Sequence, residues 1–151
     1  MKLIFTILTL FLTNMNHLHA QLEEERVKLP VMQLFDGMRQ SDTAMIRAAF
    51  MKTASLHSVV KNKKGETVFT SETLDNFIEI IGKPHSEIYD ERIEFETIKI
   101  DGNMAIAWTP YKFFVGEKFS HCGVNVFLLV KVEGEWKIQT ITDTRRKDDC
   151  M

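Results

Sequence analysis

The chain has 151 residues, 44% of them apolar, 26% charged and 10% aromatic, with a formal charge of −2. That is one domain's length, long enough to bury a core; the charge balance excludes intrinsic disorder and gives no electrostatic reason to expect nucleic acid as a partner. Two cysteines are too few for a disulfide-built miniprotein, and five scattered histidines do not make a metal protein.

Residues 1–20 read as a secretory signal peptide. Lys2 gives a short positive start, residues 3–12 form an uncharged apolar run, and Ala20 is a small residue before Gln21, although Leu18 is large for the third position back. The run is far short of the roughly 20 residues needed to span a bilayer, so no membrane attachment is expected after cleavage. The expectation is an exported protein, periplasmic or secreted, with residues 21–151 as a single domain. Lys2 is the only charge in the leader, so 18 basic and 21 acidic side chains remain in the mature chain, a charge of −3.

Three helices lead the mature chain. Pro30 suits a first-turn position, and Val31, Leu34, Phe35 and Met38 follow at helical spacing. Asp42 can cap a second helix with Met45, Ile46, Ala49 and Phe50 inward. A strand pair over 55–60 and 66–69 precedes a third helix, capped by Thr70 or Ser71. Leu74, Phe77, Ile78 and Ile81 form its stripe, and Gly82 and Pro84 stop it.

From Glu87 onward the pattern is all strand. Turns at Asp101-Gly102, Gly116-Glu117 and Glu133-Gly134 divide it into an antiparallel meander over 87–100, 103–115, 118–132 and 135–146. Apolar residues at 93 and 95, then 98 and 100, slip in phase, which predicts a bulge near Glu96-Thr97. The fold class is therefore α+β: three N-terminal helices on a strongly bent, mostly antiparallel sheet of about six strands. Both faces of strands 103–115 and 118–132 are apolar. The helices can cover one face, and a homodimer packed sheet to sheet would cover the other; a denser core within one chain is the alternative.

The order helix, helix, strand pair, helix, four-stranded meander resembles the nuclear transport factor 2-like superfamily, which includes SnoaL-like cyclases and ketosteroid isomerases. The stretches VMQLFDGMRQSDTAMIRAAF and SHCGVNVFLLVKVEGEWKIQTITDTRR resemble exported bacterial members labelled putative lumazine-binding. The resemblance implies a cone with an interior pocket, usually a homodimer. It implies no reaction, because this fold hosts enzymes, binding proteins and structural modules.

Pairing the last hairpin symmetrically about Glu133-Gly134 sets Asn125 opposite Thr142 and Phe127 opposite Thr140, with His121 beside Arg146. His121, Asn125, Thr140 and Thr142 then form a polar end on an apolar face with Phe127, Leu129, Trp136 and Ile138. Depending on the length of the preceding turn, Trp108 or Tyr111 joins them. The candidate ligand-binding residues are thus Trp108, Tyr111, His121 and Asn125. His121 is the candidate acid or base if the protein is an enzyme, and otherwise a structural histidine bonded to Tyr111 or a backbone carbonyl. This register puts Asp143 on the opposite face with Arg145, leaves the inner face without Asp or Glu, and gives Asp36, Asp90 and Glu91 no clear place. That argues against an isomerase-like mechanism. No metal site and no cofactor are expected.

Cys122 falls opposite Arg145, and a turn through 146–149 could bring Cys150 to it. A bridge would close a loop of about 28 residues, worth on the order of 3 kcal/mol; two free thiols are the alternative. The leading functional expectation is an exported dimer binding a small apolar or aromatic molecule. An isomerase-, cyclase- or hydrolase-like enzyme using His121, and a structural dimerisation module with a filled cone, are the others.

Overall fold

The computed structural model describes the backbone of residues 2–150 and the side chains of residues 19–150. Its first helix, α1 (Lys2–Gln40), does not start at Pro30 but runs through it. Proline removes one intrahelical bond there. Packing overrides that loss, because Val27 is as fully buried as Val31 one turn later, and the stripe continues through Leu34, Phe35 and Met38. Glu23 reinforces the upstream turns by joining Arg26 on its own helix to Lys131 on the sheet, at 2.8 and 2.7 Å. The side chains of the apolar run 3–12 lie outside the described residues. Among the described residues no helix is long and apolar enough to cross a membrane.

Asp42 starts α2 (Thr43–Ala49) by accepting a hydrogen bond from Met45 N at 2.9 Å, and Ile46, Ala49 and Phe50 are buried. Strands β1 (Phe50–Lys61) and β2 (Thr67–Thr73) form a hairpin leading into α3 (Leu74–Gly82). The cap of α3 is Thr73, which accepts from Asn76 N, rather than Thr70 or Ser71; those two remain in β2 because its pairing to β1 extends to Thr73.

The meander contributes β3 (Tyr89–Ile93), β4 (Thr97–Asp101), β5 (Met104–Val115), β6 (Lys118–Val132) and β7 (Glu135–Thr144). The sheet has seven strands in the order β2-β1-β7-β6-β5-β3, with β4 also paired to β5. All neighbours are antiparallel except β1 and β7. The expected strand 87–100 is two strands. Opposite its break lies Pro110, which has no N–H to give to a ladder, so Glu94 N and Glu96 N bond to the carbonyls of Pro110 and Trp108 through the kink. The first meander turn is Gly102-Asn103 rather than Asp101-Gly102: Asp101 pairs with Met104, and Gly102 takes the positive φ that the first loop position requires.

Two more irregularities bend the sheet, one between Phe113 and Phe114 on β5 and one between Leu128 and Leu129 on β6. The inner face closes on α1, where Phe35 meets Phe127 edge to face at 6.2 Å over buried Leu129 and Ile138. Burying each such side chain contributes about 2 kcal/mol. The outer face of β5 carries Met104, Ile106 and Trp108, exposed at 48%, 41% and 44%.

Candidate functional site

The bulge opposite Leu128 and Leu129 decides the chemistry of the inner face. Glu135 to Ile138 pair with β6 in the expected register, but Gln139 is an extra residue. Beyond it Thr140 faces Leu128, Ile141 faces Phe127, Thr142 faces Val126, and Asp143 faces Asn125. The expected partners Thr140 and Thr142 therefore leave the inner face. Ile141 and Asp143 take their places, so the inner face does carry an acid. The spacing of Trp136, Ile138 and Ile141 holds the signal for this slip, of the same kind that marked the break near residue 96. At the strand end the shift sets Cys122 opposite Arg146, not Arg145.

Below this polar end lies a cavity of about 670 Å³. Leu34, Phe35 and Met38 of α1 and Phe77, Ile80 and Ile81 of α3 line one side. The sheet supplies Tyr89, Tyr111, Phe113, Phe127 and Ile141 opposite them. The cone is open rather than filled by its own side chains.

Of the four candidate ligand residues, Tyr111, His121 and Asn125 line this cavity. Trp108 does not. It pairs with Val126, while Thr109 pairs with Asn125 and Tyr111 with Gly123, so alternation turns Trp108 to the outer face. The bulge at Phe113 fixes that choice by bringing Phe113 opposite His121. Gly123 leaves room for the chain itself. A Cβ there would stand 1.7 Å from the Thr144 carbonyl oxygen and 2.9 Å from the Tyr111 ring.

Asp143 is the hub of the polar end. Ser58 of β1 donates to its Oδ1, and Arg145 Nε donates to its Oδ2 at 2.7 Å. The Tyr111 hydroxyl lies 3.1 Å from Oδ2 and 3.0 Å from the Thr144 carbonyl. Burial, and then the negative charges of Asp143 and Glu91, push the Tyr111 phenol upward, so it stays protonated.

Glu91 was not anticipated at this site. Its strand reaches the inner face through β5, where Glu91 pairs with Phe113, and its Oε1 accepts from Asn125 Nδ2 at 2.7 Å. Burial raises its carboxyl to about 7 against the opposing pull of the Asn125 hydrogen bond. Its strand neighbour Asp90 instead pairs with Arg39 and Arg92, and Asp36 also pairs with Arg39.

His121 packs edge to face on Tyr111 at 5.7 Å and against Phe113 at 5.1 Å, and its Nδ1 shares a hydrogen bond with Ser120 Oγ at 3.0 Å. Burial, then the Arg145 charge, moves its pKa down, which favours the neutral ring near pH 7. Cys122 and Cys150 are bonded to each other, their Cα atoms 5.8 Å apart. The link ties the tail after β7 to the strand that carries His121. Among the described residues no cluster of three or more His, Cys, Asp or Glu could hold a metal ion.

The family model described as putative lumazine-binding matches residues 22–142. Several solved structures share the architecture. One is a nuclear transport factor 2-like protein of unknown function from Shewanella baltica, with 17% identity and a TM-score of 0.64, covering 83% of this chain and 95% of that one. Another is the beta subunit of a putative aromatic-ring-hydroxylating dioxygenase from Novosphingobium aromaticivorans, with 13% identity and a TM-score of 0.69, covering 85% and 92%. A third is a protein of unknown function from Mycobacterium tuberculosis, with 13% identity and a TM-score of 0.68, covering 85% and 74%. No curated protein sequence matches this chain.

Proposed function

We propose, for a chain that belongs to the family described as putative lumazine-binding and has the nuclear transport factor 2-like fold, that it is an exported, dimeric protein binding a small apolar or aromatic molecule in its cone. One observation carries the reading: a cavity of about 670 Å³ with apolar walls and a polar end built by Glu91, Tyr111, His121, Asn125 and Asp143. Its volume and mixed lining are those of a small-molecule site. The structural-module alternative required a filled cone and loses its support. Native mass spectrometry of protein purified from its own host tests the proposal. The expected result is a bound mass that is lost on denaturation, and the bare chain mass in every preparation would overturn it.

Export rests on the charge and apolar pattern of residues 1–20, and dimerisation on the apolar outer face, where Met104, Ile106 and Trp108 of one strand are all exposed. A second reading, an isomerase-, cyclase- or hydrolase-like enzyme, draws on Glu91. A buried carboxyl titrating near 7 is matched to proton transfer at neutral pH and replaces His121 as the candidate acid or base. Under that reading the wild type chemically alters the molecule recovered from the host, and Glu91→Gln does not.

A further inference from the structure

Four donor groups at the polar end are engaged with protein acceptors. Asn125 Nδ2 bonds to Glu91, Ser58 Oγ and Arg145 Nε to Asp143, and the Tyr111 hydroxyl to Asp143 or the Thr144 carbonyl. Two acceptors are not. Glu91 Oε2 and Asn125 Oδ1 belong to cavity-lining side chains and have no hydrogen-bond partner among the described residues, yet neither is sealed from the cavity. The charges are unequal in the same sense. Two carboxyls, Glu91 and Asp143, share one guanidinium, Arg145, and that cation is committed to Asp143. His121 adds no charge while its ring is neutral. On the far wall, the His57 ring is held by Ser55 and Ser71.

We propose that the polar end of the cavity receives a protonated nitrogen, the ammonium or amidinium head of a ligand whose apolar body lies between α1, α3 and the sheet. This deepens the small-molecule reading and rests on it. An ammonium offers up to three donors to the two open acceptors and supplies the charge that a buried carboxylate otherwise lacks. The aromatic rings of Tyr89 and Phe113 line the same cavity and suit a cation further. A carboxylate-bearing ligand would meet open acceptors, and a neutral alcohol could satisfy them without supplying charge. Bringing a cation to Glu91 also favours its ionised form, so capture near pH 7 expels a proton.

Calorimetric titration of the full chain at pH 7 with 2-phenylethylamine, 2-phenylethanol and 3-phenylpropanoate tests this, since the three share one apolar body. The amine is expected to bind about tenfold or more tighter than the alcohol, and the carboxylate weakest. Amine binding should release protons, read from runs in buffers of different ionisation enthalpy. Glu91→Gln, its fold checked by near-ultraviolet circular dichroism, is expected to abolish the preference for the amine. Glu117→Gln, on an exposed turn, should leave it unchanged. An alcohol or carboxylate that binds as well as the amine, or a preference that survives Glu91→Gln, overturns the head-group assignment and leaves the pocket standing. Failure of all three probes overturns the small-molecule reading as well.

Discussion

The Asn125 amide reaches across β5 to donate to Glu91 Oε1 at 2.7 Å, joining two strands that are not neighbours in the sheet. This contact orients one carboxyl oxygen and leaves the other to the cavity. It also keeps an acid in a place where burial makes ionisation costly.

That cost predicts how stability varies with pH. Glu91 titrates at about 7 in the fold against an ordinary value of 4.5. Between those values the folded state holds the proton that the unfolded chain has released, so stability falls as pH rises through the window. A shift of that size corresponds to about 3 kcal/mol. Glu91→Gln should therefore stabilise the protein at pH 8 and flatten the pH 4.5–7 slope, as read by urea denaturation at several pH values. A steeper slope or a destabilised variant would contradict the assignment.

Glu23 works in the opposite sense. The Lys131 and Arg26 hydrogen bonds hold its carboxyl down at about 2. Its contribution is complete above pH 4.5 and is lost as pH falls toward 2. Glu23→Gln is expected to remove part of the acid-unfolding transition between those values, measured by circular dichroism, while leaving the pH 4.5–7 region unchanged.

Asp143→Ala removes the shared acceptor of Ser58, Tyr111 and Arg145. The Tyr111 hydroxyl keeps the Thr144 carbonyl, and Arg145 is half exposed, so the loss is mainly that of buried hydrogen bonding, about 2–3 kcal/mol. Urea denaturation at pH 7 reads this directly. Gly123→Ala should be more severe, because the backbone of β7 stands where the methyl group would go. Its expected outcome is loss of the cooperative thermal transition.

The outer face predicts the oligomeric state. With Ile106 and Trp108 both replaced by Lys, sedimentation equilibrium should give the mass of a single chain, against twice that mass for the wild type. A wild type that sediments as a monomer at micromolar concentration would remove the dimer from the account.

Much of the fold was legible because its signals are local. The Asp42 cap, the Val31 to Met38 stripe and the alternation on β6 each depend on residues within a few positions of one another. They placed His121 and Asn125 on one face, while Tyr111 and Trp108 remained equal alternatives until the register shift at Phe113 was located. The two acids were missed for different reasons, one local and one not. Asp143 changed faces through one extra residue, Gln139. Glu91 enters through the pairing of β3 with β5 across Pro110, and Ser58 through the parallel pairing of β1 with β7, which joins the start of the sheet to its end. Asp143 and Glu91 supply the site's negative charge, so a reading limited to local pattern found the pocket and misjudged its chemistry.

The central claim is that the cone is a ligand site closed at one end by Glu91 and Asn125. A crystal structure of the protein purified from its own host tests this most directly. The account predicts continuous density for one small molecule inside the cavity, with a polar atom within hydrogen-bond distance of Glu91 Oε2 or Asn125 Oδ1. A cavity collapsed onto its own Phe77, Phe113 and Phe127 side chains would contradict it.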